Sequence, residues 1–327
     1  MLHLIKLSSY IRPKNSNMNK SSIHNEVKKY LAHLQFERNL SSNTIDSYWL
    51  DLKSYIEYMI DIYEVKTLND IKKDYINKYI SYLQTYSDYN NDIKKKQTSS
   101  INRSISSIRS FYKYLNNNDI VSDNPTKILI AGKQEKKLPD VLSVEEIDLI
   151  LNSFDLSKKN NVRDRAIVSL LYSCGLRVSE LISLKLTNLL LDQEIIKVFG
   201  KGSKERIVPI GSIAIEQLMF YINEIRPKYT RNVDSKGLLF LSNRGKELSR
   251  KSVWNIIKLS VDRSGINKKV SPHTFRHSFA CHMLEGGAGL RVVQELLGHS
   301  NISTTQIYTQ LDQSYLIEIF KQYHPRG

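Results

Sequence analysis

The chain has 327 residues, about two domains' worth. With 41% hydrophobic and 25% charged residues, its composition is globular and excludes a disordered or fibrous chain. Forty-eight Lys and Arg against thirty-three Asp and Glu leave a net charge of +15. That excess points to a polyanionic partner, most simply nucleic acid, although a merely soluble basic protein has the same arithmetic. Two cysteines, Cys174 and Cys281, exclude a disulfide framework and a Cys-rich zinc site and suit a reducing compartment. No apolar run approaches the roughly 18 residues of a membrane helix, so no membrane partner is expected and the cytoplasm is the expected location.

Residues 1–25 carry Lys6, Arg12, Lys14 and Lys20 but no acid. They read either as an organellar transit peptide or, preferably, as an upstream extension with translation starting at Met18. Residues 1–20 are therefore set aside as an extension, and a helical domain is expected over residues 21–128. One helix is predicted from Val27 to Phe36. Ser41 or Ser42 caps a second, with a buried stripe of Ile45, Tyr48, Leu52, Ile56 and Met59. Another runs through Ile101, Ile105, Ile108, Tyr112 and Leu115, and Asp123-Asn124-Pro125 stops it. Arg103 and Arg109 on that helix are candidate DNA contacts, or simply solvated surface.

Residues 129–140 are charged, bounded by Gly and Pro and without periodicity, and read as a linker. Ser143 and Glu146 form a capping box that opens a second domain over residues 141–327. There Glu194–Phe199 and Arg206–Ile210 read as the strands of a β-hairpin with Lys201 at its tip. Helices follow over Thr274–Leu284 and Val292–Leu297, with Gly286 and Gly287 as a stop between them. The predicted fold class is mainly α in two domains, the second carrying a small β-hairpin.

Four of the eight histidines, His273, His277, His282 and His299, fall in one window with Arg276, and Tyr308 follows. A metal site is one reading. However, His273 and His277 enclose Thr274 and Arg276, which supply no Glu base and repel a cation. Satisfied core residues are a second reading, preferred for His277 and His282. The third is transesterification of a phosphodiester. It needs guanidiniums on the non-bridging oxygens, a nucleophile, and a proton donor for the departing sugar oxygen. A phenol, with pKa about 10, ionises far more readily than a sugar hydroxyl, and a lysine with pKa about 10.4 can donate a proton. A histidine can shuttle the phenol's proton or hold a phosphate oxygen. Arg177 opens a helix after Cys174-Gly175-Leu176, Lys201 sits at the hairpin tip, and His273 and Arg276 share a helical face.

The strings Ser271-Pro-His-Thr-Phe-Arg-His-Ser-Phe-Ala280, Leu290-Arg-Val-Val-Gln-Glu-Leu-Leu-Gly-His299 and Ile307-Tyr308-Thr309 resemble the tyrosine recombinase (phage integrase) family. Within it the chain resembles the bacterial Xer recombinases. Its ending, His324-Pro325-Arg326-Gly327, is similar to theirs, and residues 271–327 lean to the XerD type over the XerC type. The resemblance spans nearly all of residues 20–327 and implies a SAM-like N-terminal domain that forms a C-shaped clamp on duplex DNA with the catalytic domain. It implies that Tyr308 is the nucleophile of a 3′-phosphotyrosyl intermediate and that Arg177 and Arg276 clamp the phosphate. Lys201 is then the general acid, His273 an acid/base, and His299 a phosphate ligand. Glu180 matches a supporting position, or is a plain surface helix charge.

No metal or nucleotide cofactor is implied. The implied assembly is a homo- or hetero-tetramer on two DNA sites, with a second Xer recombinase and an activating DNA translocase of the FtsK type. Chromosome-dimer resolution at a dif-like site is the implied role. Integration of a phage or mobile element, a type IB topoisomerase and a non-catalytic DNA-binding protein are alternatives. The tail from Tyr315 to Phe320 either packs on its own domain or, as in the family, docks on a neighbour. Cys281, Gly289 and Gln310 stand where family members often carry Thr, Asp and His, and none of these changes removes a catalytic group.

Overall fold

The computed structural model describes residues 17–38, 40–85, 97–127, 140–200, 205–230, 234–298 and 310–327. It divides into two units, Met1–Lys136 and Lys137–Gly327. The expected mainly helical, two-domain class holds. The linker proposed over residues 129–140 lies, but for its last residue, outside the described residues.

The N-terminal unit contains α1 (Asn17–Phe36), α2 (Ser42–Tyr63), a 3-10 turn (Leu68–Asp70), α3 (Lys73–Thr85) and α4 (Thr98–Asn117). α1 begins ten residues before Val27, so residues 17–20, read as part of an extension, belong to a helix. On α2, Leu52, Ile56 and Met59 are fully buried, and half-buried Ile45 and Tyr48 pack against the same core. All five stripe positions of α4 are buried. α4 stops earlier than expected. The Asn118 side-chain amide donates to the Tyr114 carbonyl at 2.8 Å, Asp119 turns left-handed at φ 54°, and the chain leaves the helix before Pro125 is reached. Asn118 removes the continuation by offering its own hydrogen bond to the backbone.

The polar centre of this unit is Asp51, which is buried on α2. It accepts hydrogen bonds from Arg103 Nε (2.9 Å) and Nη2 (3.1 Å) and from the hydroxyls of Ser104 (2.8 Å) and Ser107 (3.2 Å). Arg103 is thus tied down by a buried carboxylate, with about half of its side chain still exposed, while Arg109 is half-buried.

The C-terminal unit opens with α5 (Val144–Asn152). Its capping box forms as expected, with Ser143 N–H donating to Glu146 (2.8 Å) and Glu146 N–H donating to Ser143 Oγ (3.2 Å). α6 (Lys159–Ser173) is buried nearly all round and leads through Gly175 into the short α7 (Val178–Ser183). A three-stranded antiparallel sheet follows in the order β1 (Leu189–Leu190), β2 (Ile195–Phe199), β3 (Glu205–Pro209). The β2–β3 hairpin runs from the pair Ile195 and Pro209 to the pair Phe199 and Glu205; β2 starts one residue later than predicted and ends where predicted, and β3 lies one residue earlier. β1 is too short for any alternation to announce it.

Next come α8 (Ser212–Phe220), a π turn (Tyr221–Ile225), α9 (Pro227–Thr230) and α10 (Arg250–Ser264). α11 (Pro272–Gly286) is capped by Ser271 and closed by Gly287 at φ 112°. α12 (Leu290–Leu297) follows, with Gly289 at a cap position that has no side chain to offer. The last helix is α13 (Gln310–Tyr323). It packs on α11 and β3 of its own unit, burying Leu316 and Phe320. Lys321 pairs with Glu194 at 2.5 Å and Arg326 with Asp148. Of the two readings of the tail, packing on its own domain is the arrangement observed. Among the described residues no helix is long and apolar enough to cross a membrane.

Removing Asp51 strands Arg103 and opens a cavity between α2 and α4. Asp51→Ala is expected to lower the stability of the N-terminal unit by about 2 kcal/mol. That is below the usual cost of breaking a buried pair because Arg103 is half-exposed. The check is urea unfolding followed by Trp49 fluorescence in a Trp254→Phe background, where Trp49 is the sole tryptophan.

Candidate active site

Arg177 is the N-cap of α7 and Glu180 lies in its first turn. Three residues apart at a helix start, they close on each other. The Arg177 backbone N–H donates to Glu180 Oε2, and its Nη1 donates to Oε1, both at 2.8 Å. The chain reaches this point through Gly175 at φ +54°, where a Cβ would lie 2.8 Å from the Phe279 ring. Both the left-handed backbone and the crowding require glycine there. Glu180 is only 4% exposed, so it is not a surface helix charge.

A second arginine meets the same carboxylate. Arg206, on β3, donates Nη1 to Oε1 at 2.8 Å and Nη2 to Oε2 at 2.9 Å, a parallel two-toothed pair. Arg276, on α11, comes within 4.0 Å of Oε2 and donates Nη1 to the Gly175 carbonyl at 2.6 Å.

The three guanidiniums also converge on one helix end. Arg206 Nε donates to Leu296 O (2.8 Å), Arg276 Nη2 to Leu297 O, and Arg177 Nη2 to Gly298 O (3.0 Å). Three successive carbonyls at the C-terminus of α12, the negative end of its dipole, each take one cation. Gly298 turns out of the helix at φ +65°, and a Cβ on it would sit 3.0 Å from Arg206 Cδ.

Burial would raise the Glu180 carboxyl, but hydrogen bonds and charge from Arg206, followed by Arg177, hold it below the ordinary carboxylate value. For Arg276, burial and then the charges of Arg177 and Arg206 push the guanidinium down to about 9, with Glu180 opposing. Three positive groups thus share one negative group. The surplus of two charges is what an oxyanion site requires. Arg177 is the most solvent-accessible of the three, with 35% of its side chain exposed.

His273 is exposed on α11, one turn before Arg276. His277 is half-buried beside Cys281, and His282 is buried with Nδ1 2.8 Å from the Tyr172 hydroxyl, so both are packing residues. Among the described residues no group of three His, Cys, Asp or Glu side chains is placed to hold a metal ion. Lys201, His299 and Tyr308 lie outside the described residues; their described neighbours are Gly200, Glu205, Gly298 and Gln310.

Sequence reasoning missed Arg206, although a signal existed. Along a strand, residues two apart share a face, and Val208 is fully buried. A charge on that face needs a buried partner.

Comparison with known proteins matches residues 140–314 to the phage integrase family and residues 27–118 to the phage integrase N-terminal SAM-like domain. The chain belongs to the phage integrase family. Tyrosine recombinase XerD of Staphylococcus aureus is 44% identical over 302 residues, covering 92% of this chain and 99% of that one. XerD of Staphylococcus epidermidis is 42% identical over the same coverage. Among solved structures, XerH site-specific recombinase bound to difH substrate shares 25% identity over 89% of this chain and 82% of that chain, with a TM-score of 0.63. A lambda integrase dimer bound to a COC′ core site is 18% identical, covers 88% and 97%, and has a TM-score of 0.62, a likeness of fold. Within the family the chain is an Xer-type tyrosine recombinase, an enzyme of site-specific recombination.

In this recombinase, Glu180→Gln leaves three guanidiniums without a counter-charge. The variant is expected to lose about 3 kcal/mol at pH 7. Because the folded carboxyl sits below its ordinary value of 4.5, the native stabilisation is complete above that value and disappears as pH falls through the lowered one. Urea titrations of both proteins across pH 3–7 are expected to converge at the acid end.

Proposed function

We propose that the chain cuts and rejoins DNA strands at a specific site through a covalent Tyr308 intermediate, in the manner its XerD relatives' name denotes. The observation that carries this reading is the arginine cluster around Glu180, with two positive charges more than its carboxylate neutralises. The helix end it binds, at Gly298, immediately precedes His299 in the sequence, and Tyr308 lies nine residues beyond His299.

The scissile phosphodiester sits with its non-bridging oxygens on Arg177 and Arg276. The Tyr308 oxygen attacks phosphorus, its proton passing to His273. The 5′ sugar oxygen leaves with a proton from Lys201, and a 3′-phosphotyrosyl ester remains. His299 holds a phosphate oxygen, and Glu180 keeps the arginines in place. The ester retains the bond energy, so a 5′-hydroxyl from a second strand reverses the step without ATP.

The N-terminal helical unit and the catalytic unit grip duplex DNA, with phosphate contacts setting register. Arg109 is a candidate contact there. Arg103 is a weaker one, since Asp51 already holds two of its nitrogens. The working assembly is a tetramer on two dif-like sites with a second Xer recombinase, activated by a translocase of the FtsK type and acting in the cytoplasm to resolve chromosome dimers. The near full-length match to XerD proteins favours this role over integration of a mobile element.

The test is a nicked dif-like suicide substrate incubated with the protein in EDTA, then denatured. A covalent protein–DNA band is expected for wild type and none for Tyr308→Phe. A wild type that binds the site with its partner recombinase present and forms no band would sink the reading in favour of a silent binder. Relaxation of supercoils by the chain alone on unrelated DNA would point instead to a type IB topoisomerase.

A further inference from the structure

We infer that Arg206 is a positioning residue of the recombination site: it neutralises Glu180 so that Arg177 and Arg276 stay available to the phosphate. The inference rests on the reading above and assigns a role to a residue that no motif in the sequence marked.

The hydrogen-bond inventory of Glu180 carries the argument. A carboxylate has about four acceptor positions. Oε1 receives Arg177 Nη1 and Arg206 Nη1, and Oε2 receives the Arg177 backbone N–H and Arg206 Nη2. The carboxylate is full, and Arg276 stands off at 4.0 Å, outside hydrogen-bond range. Two of the four donors come from Arg206. Without it, two acceptor positions and one negative charge open beside Arg276. A buried, half-satisfied carboxylate draws in the nearest cation not already bonded to it, and with Arg177 in place that cation is Arg276. A guanidinium turned onto Glu180 no longer faces a phosphate.

The charge count agrees. Arg206 with Glu180 forms a neutral pair, which leaves Arg177 and Arg276 as two uncompensated positives. A phosphodiester carries one negative charge, and its five-coordinate state under attack carries about two, so the remaining pair matches the charge that develops.

Arg206 has a second hold on the site. Its Nε binds the Leu296 carbonyl, and its aliphatic stem packs where a Cβ on Gly298 would fall, 3.0 Å from Cδ. One side chain on β3, which follows Lys201 in the sequence, therefore ties together Glu180 and the helix end that precedes His299. Lysine does not replace it. A single ammonium cannot span both carboxylate oxygens and a carbonyl in one plane.

The test compares wild type, Arg206→Gln, Arg206→Lys, Glu180→Gln and the double variant Arg206→Gln/Glu180→Gln as full-length proteins. The readouts are melting temperature, affinity for the uncleaved DNA site, and single-turnover formation of the covalent complex on the suicide substrate. Arg206→Gln is expected to bind DNA within about threefold of wild type and to cleave about 100-fold more slowly, with Arg206→Lys about tenfold slower. The double variant is expected to regain at least tenfold in rate over Arg206→Gln without regaining melting temperature, because the neutral amide introduced by Glu180→Gln no longer competes for Arg276. A merely structural role for Arg206 predicts the opposite, with two losses that add.

Cleavage by Arg206→Gln within threefold of wild type, or additive losses in the double variant, would overturn the inference. If Arg206→Gln does not fold, an unimpaired Arg206→Lys does the same. Tungstate affinity, read by calorimetry, gives an arm that needs no cleavage. It is expected to fall about tenfold in Arg206→Gln and to recover in the double variant, and equal affinity in all three proteins would overturn the inference even if wild type forms no covalent complex. Failure of wild type to form that complex therefore bears on the proposed function, and the variant pattern bears on Arg206.

Discussion

One buried carboxylate, Glu180, organises the catalytic unit. It is reached from α7, β3 and α11, and through the arginines it is tied to the last carbonyls of α12. These elements span residues 177–298, so no local stretch of chain could assemble the group. A charge so deep is tolerated only when its partners arrive in good geometry. The surrounding fold supplies that geometry. α6 is buried nearly all round and anchors the turn at Gly175, and the β2–β3 hairpin delivers Arg206 at a fixed register, opposite Val198. Disturbing any one contact leaves like charges facing each other with less to offset them, so the elements hold their places together.

What the sequence disclosed follows from where its signals live. Amphipathic stripes are local: of the helices read from them, α4 buries all five residues expected and α2 three of five, with Ile45 and Tyr48 half-buried on the same core. Capping boxes and glycine stops are local too, and those at Ser143 and Gly287 stand where they were read. α6 escaped because a helix buried on every side has no stripe. α3 escaped although Ile76, Tyr79 and Leu83 sit at helical spacing, since half-buried Tyr75, Ile80 and Tyr82 pack beside them and widen the stripe until its contrast is lost. In the site, Arg177 and Arg276 were legible from motif and chemistry, and Glu180 only from the family resemblance, since on residue type alone it read equally as a surface charge. Their shared attachment to Glu180 was not, because it is a long-range contact, and Arg206 was hidden inside a string that read simply as a strand.

Among the described residues each unit buries one acidic side chain against arginine, and the difference between them is instructive. Asp51 meets one arginine and two hydroxyls. Its charge is matched one to one and its remaining lone pairs are filled by neutral donors, so nothing is left for an outside ion. That is a structural pair, which gives α2 and α4 one register. Glu180 meets two arginines by hydrogen bond and a third by charge alone. Its acceptors are full while positive charge remains, and burial, then the charges of Arg177 and Arg206, lower the proton affinity of Arg276.

The same residue types thus make a brace in one unit and an anion site in the other, and the deciding quantity is the ratio of guanidinium to carboxylate. A cluster with surplus charge is costly to the empty protein, since repulsion among buried cations opposes folding. Here the carbonyls of Gly175, Leu296, Leu297 and Gly298 offset that cost with oriented dipoles that bear no net charge. Dipoles hold the guanidiniums without cancelling them, whereas a second carboxylate would have stabilised the fold and emptied the site of its attraction for phosphate.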